Sequence, residues 1–147
     1  MFGNLLSNLL GPDTPRLPDP EARLALAALL VRLARADGDY ATAEVARIDR
    51  VLADRYRLSP FEAVALRTEA ERLETVAPDT VRFTRALKEA VPYEDRLGLM
   101  RALWSVALAD GTRGAEEDAL IRLVASLLGV TDRDSALARQ SVEKDAG

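Results

Sequence analysis

Apolar residues recur three and four positions apart along most of this chain, a spacing that predicts helices and no strands. Leu24, Leu26, Ala27, Leu30, Val31 and Ala34 make one broad apolar face, with Asp19 placed to cap, Pro20 at the first helical position and Glu21 answering the dipole. That helix stops at Ala36-Asp37-Gly38. A second is expected from about Thr42 to Tyr56, where Val45, Ile48, Val51 and Leu52 form the core stripe. Ser59-Pro60-Phe61-Glu62 spells a capping box with proline in the first turn, and Phe61, Val64, Ala65 and Leu73 carry a third helix as far as Ala77-Pro78-Asp79. Val81, Phe83, Leu87 and Val91 mark a fourth that Pro92 closes, and a fifth runs from Glu94 to Ala109. The sixth spans about Ala115 to Leu128 and ends at Gly129; Thr131 and Asp134 open a seventh whose last residues are expected to fray. The expected fold class is all-α, a bundle of about seven helices.

Residues 1–19 fall outside this pattern. Gly11 to Pro20 holds Pro12, Pro15, Pro18 and Pro20, a density that prevents a helix and makes a linker. Ahead of it, Phe2, Leu5, Leu6, Leu9 and Leu10 put an apolar face on a very short helix without Lys or Arg, so docking onto the domain or a second copy is expected ahead of membrane binding. The expected division is residues 1–19 as Leu-rich peptide and Pro-rich linker, and 20–147 as the helical domain.

Sliding the sequence on itself by 73 residues lays Glu21–Val51 over Glu94–Val124 with 13 of 31 positions identical. Shared core residues are what any two amphipathic helices have in common. More informative are Asp37-Gly38 with Glu44 and Asp110-Gly111 with Glu117, because the same interval recurs across a turn. A helix-turn-helix unit is duplicated, and packing of the two copies about a pseudo-twofold axis would let the acidic turns converge.

Composition narrows the chemistry those turns could perform. Neither Cys nor His occurs, which removes thiol chemistry, the usual zinc site and the commonest general base, and leaves oxygen ligands suited to calcium or magnesium. No haem or nucleotide site is expected. A formal charge of −4, with Arg interspersed among Asp and Glu, gives no basic face for nucleic acid. No apolar run reaches the roughly 18 to 20 residues of a membrane span, and the first ten residues lack the basic start and cleavage motif of a signal peptide, so a cytoplasmic location is expected.

An Asp near a helix C-terminus faces the negative end of the macrodipole, at a cost of roughly 0.3 to 1 kcal/mol, so Asp37 and Asp110 call for something positive nearby. Glu44 and Glu117, in the first turns of the following helices, look electrostatically easy. Read functionally, Asp37, Glu44, Asp110 and Glu117 supply oxygens to a divalent cation, with Asp39 or Glu116 assisting. Read structurally, each Asp caps the next helix and each Glu pairs with an Arg, for which Arg35, Arg47 and Arg113 are candidates. The interval is not an EF-hand, since Glu44 is the eighth residue counted from Asp37 and not the twelfth.

The repeated Ala36-Asp37-Gly38 with Glu44 and Ala109-Asp110-Gly111 with Glu117, in a seven-helix layout over about Pro20 to Thr131, resembles the TerB-like family of tellurite-resistance proteins. Arg57-Leu58-Ser59 and Gly129-Val130-Thr131 also resemble that family's way of ending the second helix of each unit. The resemblance implies an all-helical cytoplasmic protein, sometimes peripheral to the inner membrane, linked to tellurite and other stress responses and to divalent cations held by acidic residues. The expected function is thus a non-enzymatic, cation-binding stress-response module; the alternative is a helical interaction module, working with a protein partner or a second copy, whose acidic turns are structural. A hydrolase built on Asp37 and Asp110 is less favoured, because no nucleophile elbow or phosphate loop accompanies them. Trp104, at the place of Val31 in the first unit, is expected in the core, and Arg23 with Glu21, like Arg96 with Glu94 and Asp95, is expected to form helix-surface pairs.

Overall fold

The computed structural model describes residues 20–36, 38–77, 79–111 and 114–146. Among them are seven α-helices and no strand: α1 Ala22–Arg35, α2 Thr42–Tyr56, α3 Pro60–Val76, α4 Val81–Ala90, α5 Arg96–Ala107, α6 Ala115–Leu127 and α7 Asp132–Ala146, with a 3-10 turn at Tyr93–Asp95. No helix among the described residues is long and apolar enough to cross a membrane.

α1 is apolar on nearly every side, with Ala25 to Val31, Leu33 and Ala34 all buried. A helix of that kind belongs in the middle of a fold, and α2, α3, α4, α5 and α6 all pack against it. Its four buried leucines, Leu26, Leu29, Leu30 and Leu33, each contribute about 1.5 to 3 kcal/mol by leaving water. α3 fully buries the small residues Ala63 and Ala70 and packs Leu66 and Leu73 partly buried against the core, while Phe61 is 85% exposed. The expected apolar stripe of the third helix is thereby corrected: Leu73 packs against the core, whereas Phe61 and Val64 are exposed.

The duplication is physical. α1 packs on its equivalent α5, while α2 packs on α5 and α6 packs on α1, the reciprocal contacts that a pseudo-twofold axis between α1 and α5 requires. It also extends further than the identities, since α3 lies on α1 as α7 lies on α5. α2 and α6 end in the same Schellman stop: Leu58 N–H donates to the Ala53 carbonyl at 3.0 Å and Val130 N–H to the Ala125 carbonyl at 2.8 Å. The left-handed residues at these stops are Arg57 and Gly129.

Helix boundaries differ from expectation at several ends. Glu21, in extended conformation, is the N-cap of α1, so Pro20 precedes the helix; Asp19 lies outside the described residues. The fifth helix opens with the 3-10 turn and ends at Ala107, and α7 stays helical to Ala146, past the fraying expected there. Ser59 and Glu62 form the full capping box, whose hydrogen bond from the Ser59 amide holds the Glu62 carboxyl below the usual range. Thr131 Oγ1 accepts from the Asp134 amide at 3.1 Å. Trp104 packs in the core, its Nε1 donating to Ser135 Oγ at 3.2 Å.

Two arginines read from sequence as surface groups are long-range clamps. Arg96 turns from Glu94 and Asp95 to the main chain, donating to the carbonyls of Val91, Leu128 and Lys88 and so gathering the ends of α4 and α6. Charged donors suit the negative C-terminal ends of helices. Arg23 lies over the Tyr56 ring, 5.1 Å from its centroid.

Candidate functional site

Each acidic turn is a copy of the other at the level of single hydrogen bonds. In the first, Ala36 N–H donates to Leu33 O at 3.1 Å and Gly38 N–H to Arg35 O at 3.0 Å; in the second, Ala109 N–H donates to Val106 O at 3.2 Å and Gly111 N–H to Leu108 O at 3.0 Å. Gly38 and Gly111 share a φ of 83°, a left-handed conformation that L side chains adopt only with strain. Ala41 and Gly114, both extended, then serve as the N-caps of α2 and α6. Neither residue has a side-chain acceptor for the first-turn amides.

Glu44 and Glu117 stand three residues into those helices, the position from which a carboxylate reaches back over a helix N-terminus. The second one does fold back: a Cβ added at Gly114 would lie 3.0 Å from Glu117 Oε1. The equivalent position in the first unit carries Ala41, so the two glutamates meet different N-caps. Both are 1% exposed. Asp110 is exposed, whereas the two glutamates, which look electrostatically easy in sequence, are taken out of water.

Of the four residues expected to bind a cation, Glu44 and Glu117 are buried, Asp110 is on the rim, and Asp37 lies outside the described residues, as does Arg113. Asp39 and Glu116 are exposed. Among the described residues, no three acidic side chains gather closely enough to hold a metal ion. The two turns are nevertheless linked through their helices: Arg47 of α2 donates to Ser105 Oγ at 3.0 Å, placing the early part of α2 against the end of α5.

A first-turn position makes the glutamates look electrostatically easy, yet the sequence carries a signal for their burial. Glu44 precedes Ile48 and Leu52 at four-residue steps, and Glu117 precedes Ile121 and Ala125 likewise. Those residues are the buried stripes of α2 and α6, so each carboxylate continues a core stripe to the helix start.

Around the first turn, Arg35 pairs with Glu74 at 2.7 Å and covers the Tyr40 ring at 4.9 Å. Tyr40 Oη donates to Glu71 Oε2 at 2.7 Å, and Arg67 bridges that carboxylate to Asp49. Burial, followed by the Glu71 bond, pushes the Tyr40 phenol well above its ordinary value of 10.0. A raised folded-state pKa stabilises the fold fully below the ordinary phenol range, and that contribution is lost as pH rises through the raised value. In a phenolate absorbance titration, Tyr40→Phe is expected to remove the latest-ionising of the three tyrosine components; loss of a component that ionises in the ordinary phenol range instead would show that Tyr40 is not held by Glu71.

Residues 23–140 match the family model described as tellurite resistance protein TerB, a span that contains both turns and all of the seven helices except Ala22 of α1 and the end of α7. No curated protein and no solved structure gives a significant match. With the duplicated turns and the seven-helix order on one side and a match over most of its length on the other, the chain belongs to the TerB family of tellurite-resistance-type proteins.

Proposed function

We propose that this chain is a non-enzymatic, stress-response member of its family that binds a divalent cation, calcium or magnesium, through Asp37, Glu44, Asp110 and Glu117. The observation that carries the reading is the burial of Glu44 and Glu117, each 1% exposed at the same place in both units. Taking a carboxylate out of water costs several kcal/mol before compensation, and a duplicated fold that does so twice is suited to a positive ligand. The donor chemistry fits a hard cation, being carboxylate oxygen in a chain without Cys or His. Fewer than three acidic groups converge among the described residues, so the ion would draw further oxygens from Asp37, turn carbonyls and water, an irregular set that calcium tolerates better than magnesium.

A second reading, an interaction module with structural acidic turns, is favoured by one observation. Glu117 folds over Gly114 at its own helix start, where a carboxylate also serves the amides and dipole of that helix. Titration calorimetry separates the two. Wild type is expected to give a saturable calcium isotherm that Asp37→Ala/Asp110→Ala abolishes or weakens at least tenfold; no heat in wild type with either calcium or magnesium would leave only the structural reading.

A further inference from the structure

A groove of about 650 Å³ opens between the start of α5 and the flank of α7, lined by Arg55, Val91, Leu97, Gly98, Leu137 and Ala138 among others. Two of its large apolar residues stand in water, Leu97 at 41% and Leu137 at 50% exposure. Comparison with the first unit shows that the described residues leave this face uncovered. Leu97, Gly98 and Arg101 correspond to Leu24, Ala25 and Ala28 of α1, and there Ala25 and Ala28 are fully buried. Gly98 deepens the groove, since a Cβ there would lie 3.2 Å from Arg55 Nη1. A glycine inside a helix is intrinsically unfavourable, and here it lets the Arg55 guanidinium lie close against α5.

We propose that the Leu-rich segment Met1–Leu10 of the same chain docks in this groove, seating Phe2 and its leucines against Leu97 and Leu137. The start of the domain is beside it: Arg23, near the beginning of α1, and Arg55, on the groove wall, both lie over the ring of Tyr56, at 5.1 and 5.8 Å. From there Gly11–Asp19, nine residues rich in proline, span up to about 28 Å at roughly 3.1 Å per extended residue. A tether that short and stiff keeps the peptide at high local concentration near the groove. The chemistry matches, because residues 1–12 carry no charged side chain and Val91, Pro92, Leu97, Leu137 and Ala138 give the groove apolar lining. Arg55, Arg101, Glu94 and Asp95 also line it.

The chain has no Cys, so Ser7→Cys in the full-length protein gives a single position for a nitroxide label. Docking predicts selective loss of the amide NMR signals of Leu97, Gly98, Leu137 and Ala138, recovered on reducing the nitroxide. Leu97→Asp/Leu137→Asp, at two exposed positions that leave the core untouched, is expected to restore the signals while the protein stays folded by thermal melting. Signal loss elsewhere, or none, overturns the proposal. So does loss that appears in a mixture of isotope-labelled, nitroxide-free protein with nitroxide-labelled protein lacking the isotope, because the occupant is then a second copy.

Discussion

Arg32→Met is expected to destabilise the fold by about 3 kcal/mol, within the range for removing one member of a part-buried charge network, and to lower Tm by roughly 10 °C for a domain of this size. The side chain is 17% exposed and its Nε donates to Glu74 Oε2 at 3.1 Å. Nη2 donates to the carbonyls of Glu74 and Ala77, at 3.1 and 2.7 Å, and Nη1 to Thr80 Oγ1 at 3.3 Å. The guanidinium also lies 5.1 Å from the centroid of Phe83, a core residue of α4. One group on the central helix thus holds the end of α3, the connection after it and the start of α4. Met keeps the aliphatic stem but leaves two helix-end carbonyls without their charged donor, while Glu74 retains Arg35, which limits the loss. Arg139→Met, in the exposed pair with Glu143, should cost no more than about 1 kcal/mol. Equal midpoints for the two variants in urea would show that Arg32 is not the clamp its bonds describe.

The contrast between these arginines marks the boundary of what was legible in the sequence. Local chemistry was readable: the Ser59–Glu62 capping box, the glycine stops at Gly38, Gly111 and Gly129, and the helical order all follow from interactions within a few residues. The duplication was readable too, because the turns require the same residues twice. Long-range partners were not. Nothing near Arg32 or Arg96 announces carbonyls more than 30 residues away, and Glu94 and Asp95 beside Arg96 suggest an ordinary surface pair. Phe61 fits the apolar spacing of its helix and is nevertheless exposed, since periodicity reports a face without saying how much of it the neighbouring helices cover. At the candidate site the four acidic residues were identified from the repeat, but the division between buried Glu and exposed Asp110 depends on which stripe the two helices turn inward.

That division sets the sharper test of the acidic turns. Glu44→Gln/Glu117→Gln preserves shape and a hydrogen-bond acceptor while replacing both buried carboxyl groups with amides. Gln is accepted at the third helical position of a capping box much as Glu is, so the double variant, measured in chelator, is expected to melt no lower than wild type. Calcium should then separate them: at a hundredfold excess over Kd a single site stabilises the folded state by about 2.7 kcal/mol, roughly 8 to 10 °C in Tm, and the variant should show none of that gain. A neutral amide oxygen still coordinates weakly, so a residual shift at much higher calcium is compatible with the site. If the variant melts far below wild type in chelator, the charges themselves hold the helix starts and their purpose is structural. If both proteins melt alike with and without calcium, the buried glutamates are neither, and the apolar groove beside α5 becomes the better place to look for what this chain does.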